Sequence, residues 1–524
     1  MKLLTKTDFI LYRDCAKNVW NKWHLPEEYR KFEVSEFEKS LAVMGNEVEE
    51  MARGMFPGGY LVEKRSEGAQ ELTEKLVKEK HPVIFQPVFG TDKFLAAADV
   101  IVWNTEANAY DVYEIKMSST DEDEEGEDGK PRKIDKKKEL QYEYDLAFQT
   151  NVARLCGVNF NKKYLVRLNR DYVRVGDLDF SKLFKLTDKT EVLSDTFMSV
   201  CLTEMEGAYV YLSEAKMPAG PCSCYYRGRS SHCTSFTLSN PQVPAYSVHD
   251  LNRIGNSKKY LKELLDEGIL EIDQVPEDDR LHPKPAKANE KQPKPRKLNQ
   301  VRVHKTKQPI VDLDAIKKEL DSLQFPLYFL DYETYPTAIP PFSGYSPYQH
   351  IVFQYSLHIL SSPDAKPEHR ECLVLEGDPA EQIVARLRED IGNVGTVISW
   401  NKKFENSRNK ELARLIPAHK EFLHDVIKRT YDLMDIVDQQ HYVHHGFRGS
   451  ASIKKVQEVL APEFAYKKLG VKNGTEAIEA YRQISQGELI GAAAKDKECA
   501  MLEYCGYDTE VMYVIWRHLY YLVV

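Results

Sequence analysis

A proline- and lysine-rich stretch divides the chain into two large parts. Residues 276–309 read PEDDRLHPKPAKANEKQPKPRKLNQVRVHKTKQP, a composition that cannot bury a core. Ten lysine or arginine residues lie between positions 280 and 307, and Glu290 is the one acid among them. We therefore expect an exposed, extended linker at residues 276–310. A solvated tether is favoured over one that also holds a phosphate backbone.

Length and composition limit the class of protein. A chain of 524 residues exceeds what one hydrophobic core usually supports, so two or three domains are expected. With 42% hydrophobic and 29% charged residues, the composition is typical of globular proteins. The net charge of -9 gives no overall basic signal for nucleic acid, although local patches could bind it. No signal peptide or membrane-spanning run is evident, so we expect a cytoplasmic protein without membrane association.

Hydrophobic patterns indicate an α/β half on each side of the linker. Residues 81–119 alternate apolar and polar positions around two turns, which predicts a three-stranded antiparallel meander. A helix from about Leu140 to Leu155 follows, and residues 119–138, acidic and then basic, are expected to form a mobile inserted loop. The expected segments are a first domain at 1–240, a small helical module at 241–275, the linker at 276–310 and a second domain at 311–524.

The meander brings together residue types that can hold a metal ion. Asp99 is placed on the middle strand, and Glu114 and Lys116 share one face of the next strand. The two carboxylates could share a divalent cation while Lys116 orients a water molecule and offsets phosphate charge. Gln149, on the following helix, could contact a scissile phosphate or a base. A surface strip of salt bridges is the alternative, and the hairpin context favours the metal site.

The cysteines fall into two groups. The odd count of nine, in a reducing compartment, argues against a disulfide framework. Cys222, Cys224 and Cys233 crowd into PCSCYYRGRSSHC, and loop cysteines at that density are typical of metal ligands. Five others are interpreted as buried small hydrophobic residues: Cys156, Cys201, Cys372, Cys499 and Cys505.

The Asp99, Glu114 and Lys116 pattern resembles the PD-(D/E)XK nuclease superfamily, most closely its RecB-like branch, which includes CRISPR-associated exonucleases. The resemblance implies a restriction-endonuclease-like α/β/α fold that binds Mg²⁺ or Mn²⁺. The upstream segment MGNEVEEMAR offers Glu49 at the position where many relatives carry a metal-binding histidine.

The same branch holds a 4Fe–4S cluster with one N-terminal cysteine and a C-terminal cysteine cluster. The opening TKTDFILYRDCAKNVW matches the way those proteins begin. The resemblance therefore implies four thiolate ligands: Cys15, Cys222, Cys224 and Cys233. Their C-x-C-x8-C spacing departs from the usual closer pattern, and His232 keeps zinc as an alternative.

The stretch FLDYET, residues 329–334, carries a second pair of carboxylates. Asp331 and Glu333 are two positions apart on a strand, so they share one face while Leu330 and Tyr332 share the other. Two carboxylates on one face repel each other unless a cation lies between them. Further along, SWNKKFEN supplies Glu405, and YCGYD supplies Tyr504 and Asp508 one helical turn apart.

This set resembles the DEDD exonucleases, whose ribonuclease-H-like, mixed-sheet α/β fold gathers four acidic residues around two divalent ions. The resemblance implies Mg²⁺ or Mn²⁺ at Asp331, Glu333, Glu405 and Asp508. Glu405 stands where that family has aspartate. Tyr504 matches the subtype in which a phenol orients the attacking water, and an ordinary amphipathic aromatic is the alternative.

The segments PYQHIVFQYSLH and FRGSASIKKV extend the likeness to nearly the whole chain. They resemble an uncharacterised bacterial family that fuses a RecB-like nuclease domain to a DEDD-like domain. The resemblance implies a metal-dependent nuclease that hydrolyses DNA from single-stranded ends or flaps in DNA processing or repair, with RNA as another substrate class. One alternative is a nucleic-acid-binding adaptor in which one or both sites are inactive. Another is a zinc-stabilised interaction protein without nucleic-acid affinity.

Overall fold

The structure, a computed structural model, describes residues 2–32, 36–63, 66–119, 135–283, 293–464, 470–471 and 473–524. The chain forms two compact units. The first comprises Met1–Tyr225, His232–Pro241 and Thr337–Tyr348, and the second comprises Tyr226–Ser231, Gln242–Pro336 and Gln349–Val524. Each unit contains helices and a mixed sheet, which confirms a multidomain α/β protein. Most of the inserted loop predicted at residues 119–138 lies outside the described residues.

The first unit has two sheets. Its strands are β1 (Leu4–Thr5), β2 (Tyr60–Leu61), β3 (Val83–Phe85), β4 (Val88–Gly90), β5 (Phe94–Ala97), β6 (Val100–Asn104), β7 (Ala109–Ser119), β8 (Phe160–Leu168) and β9 (Phe184–Asp188). The larger sheet has the order β2-β3-β6-β7-β8-β9, and the smaller has the order β1-β5-β4. In the larger sheet β7 pairs antiparallel with β6 and parallel with β8, so it is a central strand.

Helices accompany these sheets. They are α1 (Lys6–Asp14), α2 (Ala16–His24), α3 (Pro26–Arg30), α4 (Glu36–Ala52), α5 (Ala69–Lys78), α6 (Lys136–Leu155), α7 (Phe180–Leu183), α8 (Asp195–Ser213) and α9 (Phe236–Ser239). Helix α6 is capped by the preceding Asp135, whose side chain accepts hydrogen bonds from two backbone N–H groups of the first turn. Its buried Phe148 packs against Phe9 of α1, with ring centroids 5.4 Å apart.

Residues 81–119 differ from the expected three-stranded meander. They form five strands divided between the two sheets, because β4 and β5 pair with each other and leave the larger sheet. Asp99 does not lie on a middle strand: it occupies a bend just before β6. The alternating pattern is the same in one sheet or two, so it could not reveal the division.

The second unit is built around a five-stranded sheet. Its strands are β10 (Ile310–Val311), β11 (Leu327–Pro336), β12 (His350–Leu360), β13 (Glu368–Leu373), β14 (Thr396–Ser399), β15 (Thr430–Asp432) and β16 (Tyr442–Val443). The order is β13-β12-β11-β14-β15, antiparallel on the β12 side of β11 and parallel on the β14 side, while β10 and β16 form a separate pair.

The helices of the second unit are α10 (Lys258–Asp266), α11 (Arg296–Thr306), α12 (Leu313–Asp321), α13 (Ala380–Asp390), α14 (Lys402–Leu415), α15 (Lys420–Arg429), α16 (Asp435–Asp438), α17 (Ile453–Leu460), α18 (Gly474–Ser485) and α19 (Gly491–Val523). Strand β11 is covered on both faces. Leu327 and Phe329 belong to an apolar cluster with α19, whereas Leu330 and Tyr332 belong to a cluster with α13. Asp331 and Glu333 share the period-two face of Phe329, which places them towards α19.

The expected linker is not extended throughout. Residues 284–292 lie outside the described part, but α11 begins at Arg296 and buries Leu298, Val301 and Val303 in the second unit. Arg296 also forms an ion pair with Asp438 at 2.6 Å. The basic composition of the whole stretch concealed these few apolar residues. Among the described helices, none is both long enough and apolar enough to cross a membrane.

Candidate metal centres

The first acidic cluster is centred on Glu114 of β7. Its carboxylate is almost fully buried, and Oε1 accepts hydrogen bonds from the ammonium groups of Lys116 and Lys6, each at 2.7 Å. Oε2 accepts a hydrogen bond from Nε2 of Gln149 on α6 at 2.5 Å. Lys116 also pairs with Asp145 at 2.5 Å. Burial alone would raise the pKa of Glu114, but the two lysine charges hold it below its ordinary value.

Asp99 and Glu49 lie beside this group. Asp99 Oδ2 accepts a hydrogen bond from the backbone N–H of Ile115 at 2.7 Å, which brings it next to Glu114. Burial, with contributions from the charges of Glu114 and Glu49, raises the pKa of Asp99 to about 7. Glu49 accepts a hydrogen bond from Gln86 at 2.5 Å. Of the residues predicted for this cluster, Lys116 and Gln149 contact Glu114 directly and Asp99 lies next to it, whereas Glu49 is connected to Asp99 through its charge.

Sequence reasoning missed two members of the cluster, Lys6 and Asp145. Lys6 lies 108 positions from Glu114, and only the fold brings it there. Asp145 could have been found, because it lies four residues before Gln149 on α6 and so shares its face. The two lysines have a chemical consequence: the Glu114 carboxylate already has cationic partners from the protein itself.

The four predicted cysteine ligands also lie together. The sulfur atoms of Cys15, Cys222, Cys224 and Cys233 are all within 4.8 Å of one another, and the Sγ atoms of Cys222 and Cys233 are 4.0 Å apart. Among the described residues this group contains cysteines alone. His232, the alternative ligand, stacks its ring on Phe236 with centroids 3.5 Å apart.

The sulfur–sulfur distances can be compared with those expected around a single metal ion and around an iron–sulfur cluster. A tetrahedral ion with metal–sulfur bonds of about 2.3 Å places its sulfur ligands roughly 3.8 Å apart. A cubane cluster spreads its four thiolate ligands further, because each binds a different iron atom. The four cysteines therefore could bind a metal, and the 4.0 Å between the sulfur atoms of Cys222 and Cys233 is close to the separation expected around one ion.

The second acidic cluster joins β11, α14 and α19. Ligand atoms of Asp331, Glu333 and Cys505 lie within 4.8 Å of one another. Burial raises the pKa of Asp331 well above its ordinary value, and the charges of Asp508, Glu333 and Glu405 raise it further. Burial, with a contribution from Asp508, raises the pKa of Glu333 to about 8. The four predicted carboxylates therefore form one electrostatic group.

Glu405, on α14, is the least exposed of the four predicted carboxylates. Its side chain is 3% exposed, and Oε2 has no hydrogen-bond partner in the part of the chain that the structure describes. Burial raises the pKa of Glu405 to about 8. Helix α14 is fixed at its start by Asp432, whose carboxylate accepts hydrogen bonds from the backbone N–H groups of Asn401 and Lys402 at 2.9 and 3.0 Å. A buried carboxylate oxygen without a hydrogen-bond partner is suited to binding a cation.

Tyr504 lies on α19 one turn before Asp508 and is almost fully buried. The ammonium group of Lys454 lies 5.7 Å from the centre of its ring, and the Lys454 charge opposes the rise in the pKa of Glu333. A basic side chain therefore borders the carboxylate cluster. The nearby Gln354 is fully buried and donates a hydrogen bond to the Met501 carbonyl at 3.0 Å.

A family model matches part of the second unit. A search of curated proteins finds none that matches this chain. The family model described as a domain of unknown function (DUF2779) matches residues 328–452. The matched span contains Asp331, Glu333 and Glu405 and ends before α19. Over this span the chain is similar to an uncharacterised family, which is the coarser part of the resemblance described above.

Proposed function

We propose that this chain is a metal-dependent nuclease whose principal hydrolytic site is the carboxylate cluster of the second unit. The observation that carries the proposal is the cluster around Asp331: Glu333 lies at ligand distance from it, and the charges of Asp508 and Glu405 act on it. In addition, Glu405 Oε2 is buried without a hydrogen-bond partner among the described residues. The mixed five-stranded sheet supports a ribonuclease-H-like fold for this unit. When bound, a pair of Mg²⁺ or Mn²⁺ ions supplies electrostatic stabilisation for phosphodiester hydrolysis.

The side chains of the second unit divide the remaining tasks. Asp331 and Glu333 present carboxylates from one rigid strand, which fixes their spacing. We assign to Tyr504, one turn before Asp508, the task of orienting a water molecule with its phenol. Lys454, beside Tyr504, supplies positive charge for a phosphate of the substrate. DNA with single-stranded ends or flaps is the proposed substrate, and RNA is the alternative.

For the first unit a binding role is the stronger candidate. Glu114 is already hydrogen-bonded by Lys6, Lys116 and Gln149, so a divalent ion at its Oε1 would compete with two ammonium groups. The larger mixed sheet of this unit supports a restriction-endonuclease-like fold, whether or not the site is active. We propose that this unit holds nucleic acid and contributes less to hydrolysis than the second unit.

The function is tested with purified full-length protein and end-labelled single-stranded DNA. Stepwise shortening of the DNA is expected with Mn²⁺ or Mg²⁺ and not with chelator, because the carboxylates alone repel a phosphate. RNA of the same sequence, run in parallel, decides the substrate class. Retarded but uncut DNA in every metal would favour the adaptor alternative, and the absence of both cutting and binding would favour the interaction protein.

For the four-cysteine site we propose a single structural ion, with zinc as the ion, in place of the iron–sulfur cluster that the resemblance implies. Anaerobically purified protein is expected to be colourless and to contain one zinc per chain in this site. Metal analysis and visible absorption check this. Cys224→Ser should release the ion and lower the stability of the first unit, since structural metal binding contributes folding energy. A brown protein containing several iron atoms per chain would contradict the proposal.

A further inference from the structure

Cys505 lies next to the carboxylates of Asp331 and Glu333 in the second unit. It lies on α19 with no exposed surface. Its Sγ atom is 3.8 Å from Oδ2 of Asp331 and 3.9 Å from the Asp331 carbonyl oxygen. Ligand atoms of Cys505, Asp331 and Glu333 are mutually within 4.8 Å. The thiol therefore stands on the same side of β11 as the two carboxylates.

The spacing is that of two ligands of one ion. A metal–thiolate bond of about 2.3 Å and a metal–carboxylate bond of about 2.1 Å, at a tetrahedral angle, separate sulfur and oxygen by roughly 3.6 Å. The observed 3.8 Å is close to this value. As a hydrogen bond, the contact would be long, and a thiol is a weak donor. Mere packing of Cys505 would call for apolar neighbours, whereas its sulfur lies beside carboxylate oxygens.

A second observation, on the adjoining helix α14, also indicates a ligand of this cluster. Oε2 of Glu405 is buried without a hydrogen-bond partner among the described residues, and its charge acts on Asp331. A buried carboxylate oxygen left unsatisfied costs free energy unless a cation or proton accompanies it. The cluster thus combines an unsatisfied oxygen with a thiol at ligand distance from Asp331.

We propose that Cys505 is a metal ligand of this cluster and makes one of its positions selective for thiophilic divalent ions such as Zn²⁺. Sulfur ligands favour such ions over Mg²⁺, which prefers oxygen alone. On binding, the S–H bond breaks, the proton passes to solvent and a sulfur–metal bond forms. The inference rests on the proposed function in that it uses the same carboxylates, but it concerns which ion they hold.

Cadmium titration of the full-length protein, purified with its four-cysteine site filled, tests the proposal. Cd²⁺ bound to a thiolate absorbs in the ultraviolet, so the difference between wild type and Cys505→Ser isolates this sulfur from the other cysteines. Wild type should gain the absorption band, and Cys505→Ser should lose it and bind Cd²⁺ at least about tenfold more weakly. Cys201→Ser, equally buried but in the first unit, is the matched control and should behave as wild type.

An unchanged band or unchanged cadmium affinity in Cys505→Ser overturns the proposal. If that variant fails to fold, Asp331→Asn replaces it: the thiol remains, but loss of the neighbouring ligand should weaken the band and the affinity. A band unaffected by Asp331→Asn would also overturn the proposal. Cleavage is measured separately. If wild type cuts no nucleic acid but Cys505→Ser weakens cadmium binding, the proposed nuclease function is refuted and the thiolate ligand is supported.

Discussion

Replacing Asp331 with asparagine is expected to lower metal-dependent cleavage of single-stranded DNA by roughly a thousandfold. Asp331 lies at ligand distance from Glu333 and Cys505, and the charges of Asp508, Glu333 and Glu405 all act on it. Loss of its charge removes several kcal/mol of stabilisation that the bound ions give to the reaction, and about 4 kcal/mol corresponds to that factor. Initial rates with end-labelled DNA in Mn²⁺ measure the effect.

The controls separate the two units. Asp321→Asn, an exposed carboxylate at the end of α12, should leave the rate unchanged. Asp99→Asn should lower the rate much less than Asp331→Asn, because the first cluster is compensated by Lys6 and Lys116. If Asp99→Asn abolished cleavage while Asp331→Asn did not, hydrolysis would belong to the first unit and the assignment would be wrong.

A local sequence pattern predicts which residues share a face of one strand, but not which distant segments contact that strand. The shared face of Asp331 and Glu333 follows from the period of a strand, and the structure assigns Leu330 and Tyr332 to the opposite cluster. Glu405 and Asp508 came from the family resemblance, because no local period connects separate helices to a strand. Cys505 was interpreted as a buried small residue. Its burial is correct, but its contact spans 174 positions, which no local pattern records.

The fold shows the same limit. Alternation of apolar and polar residues predicts strands, but which strands share a sheet depends on how they pair with one another. Residues 337–348 follow β11 of the second unit yet pack with the first, where Tyr348 donates a hydrogen bond to the Met117 carbonyl. The basic stretch was interpreted as a tether because its average composition is polar, although Leu298 and Val301 are buried. Averages over a window cannot resolve individual contacts.

Glu333→Gln is expected to stabilise the ion-free protein above about pH 8 while removing its stabilisation by Mn²⁺. The pKa of Glu333 is about 8, above its ordinary value of 4.5, because the site is buried and faces Asp508. Between these values the folded state binds a proton that the unfolded state has lost. This contribution to stability is therefore complete below about pH 4.5 and is lost as the pH rises towards 8.

Glutamine carries no charge, so the variant escapes this loss and should exceed wild type by about 2 kcal/mol at alkaline pH without metal. With Mn²⁺ the order should reverse, since the ion pairs with the ionised carboxylate of wild type and stabilises the folded state by mass action. Denaturant midpoints at acidic and alkaline pH, with and without the ion, measure both effects. Glu389→Gln, exposed on α13 and paired with Arg386 at the surface, should change neither. The opposite result would be a Glu333→Gln protein that is less stable than wild type in alkaline, metal-free buffer. It would mean that the ionised Glu333 carboxylate does not destabilise the folded protein, and the cluster would then need no cation.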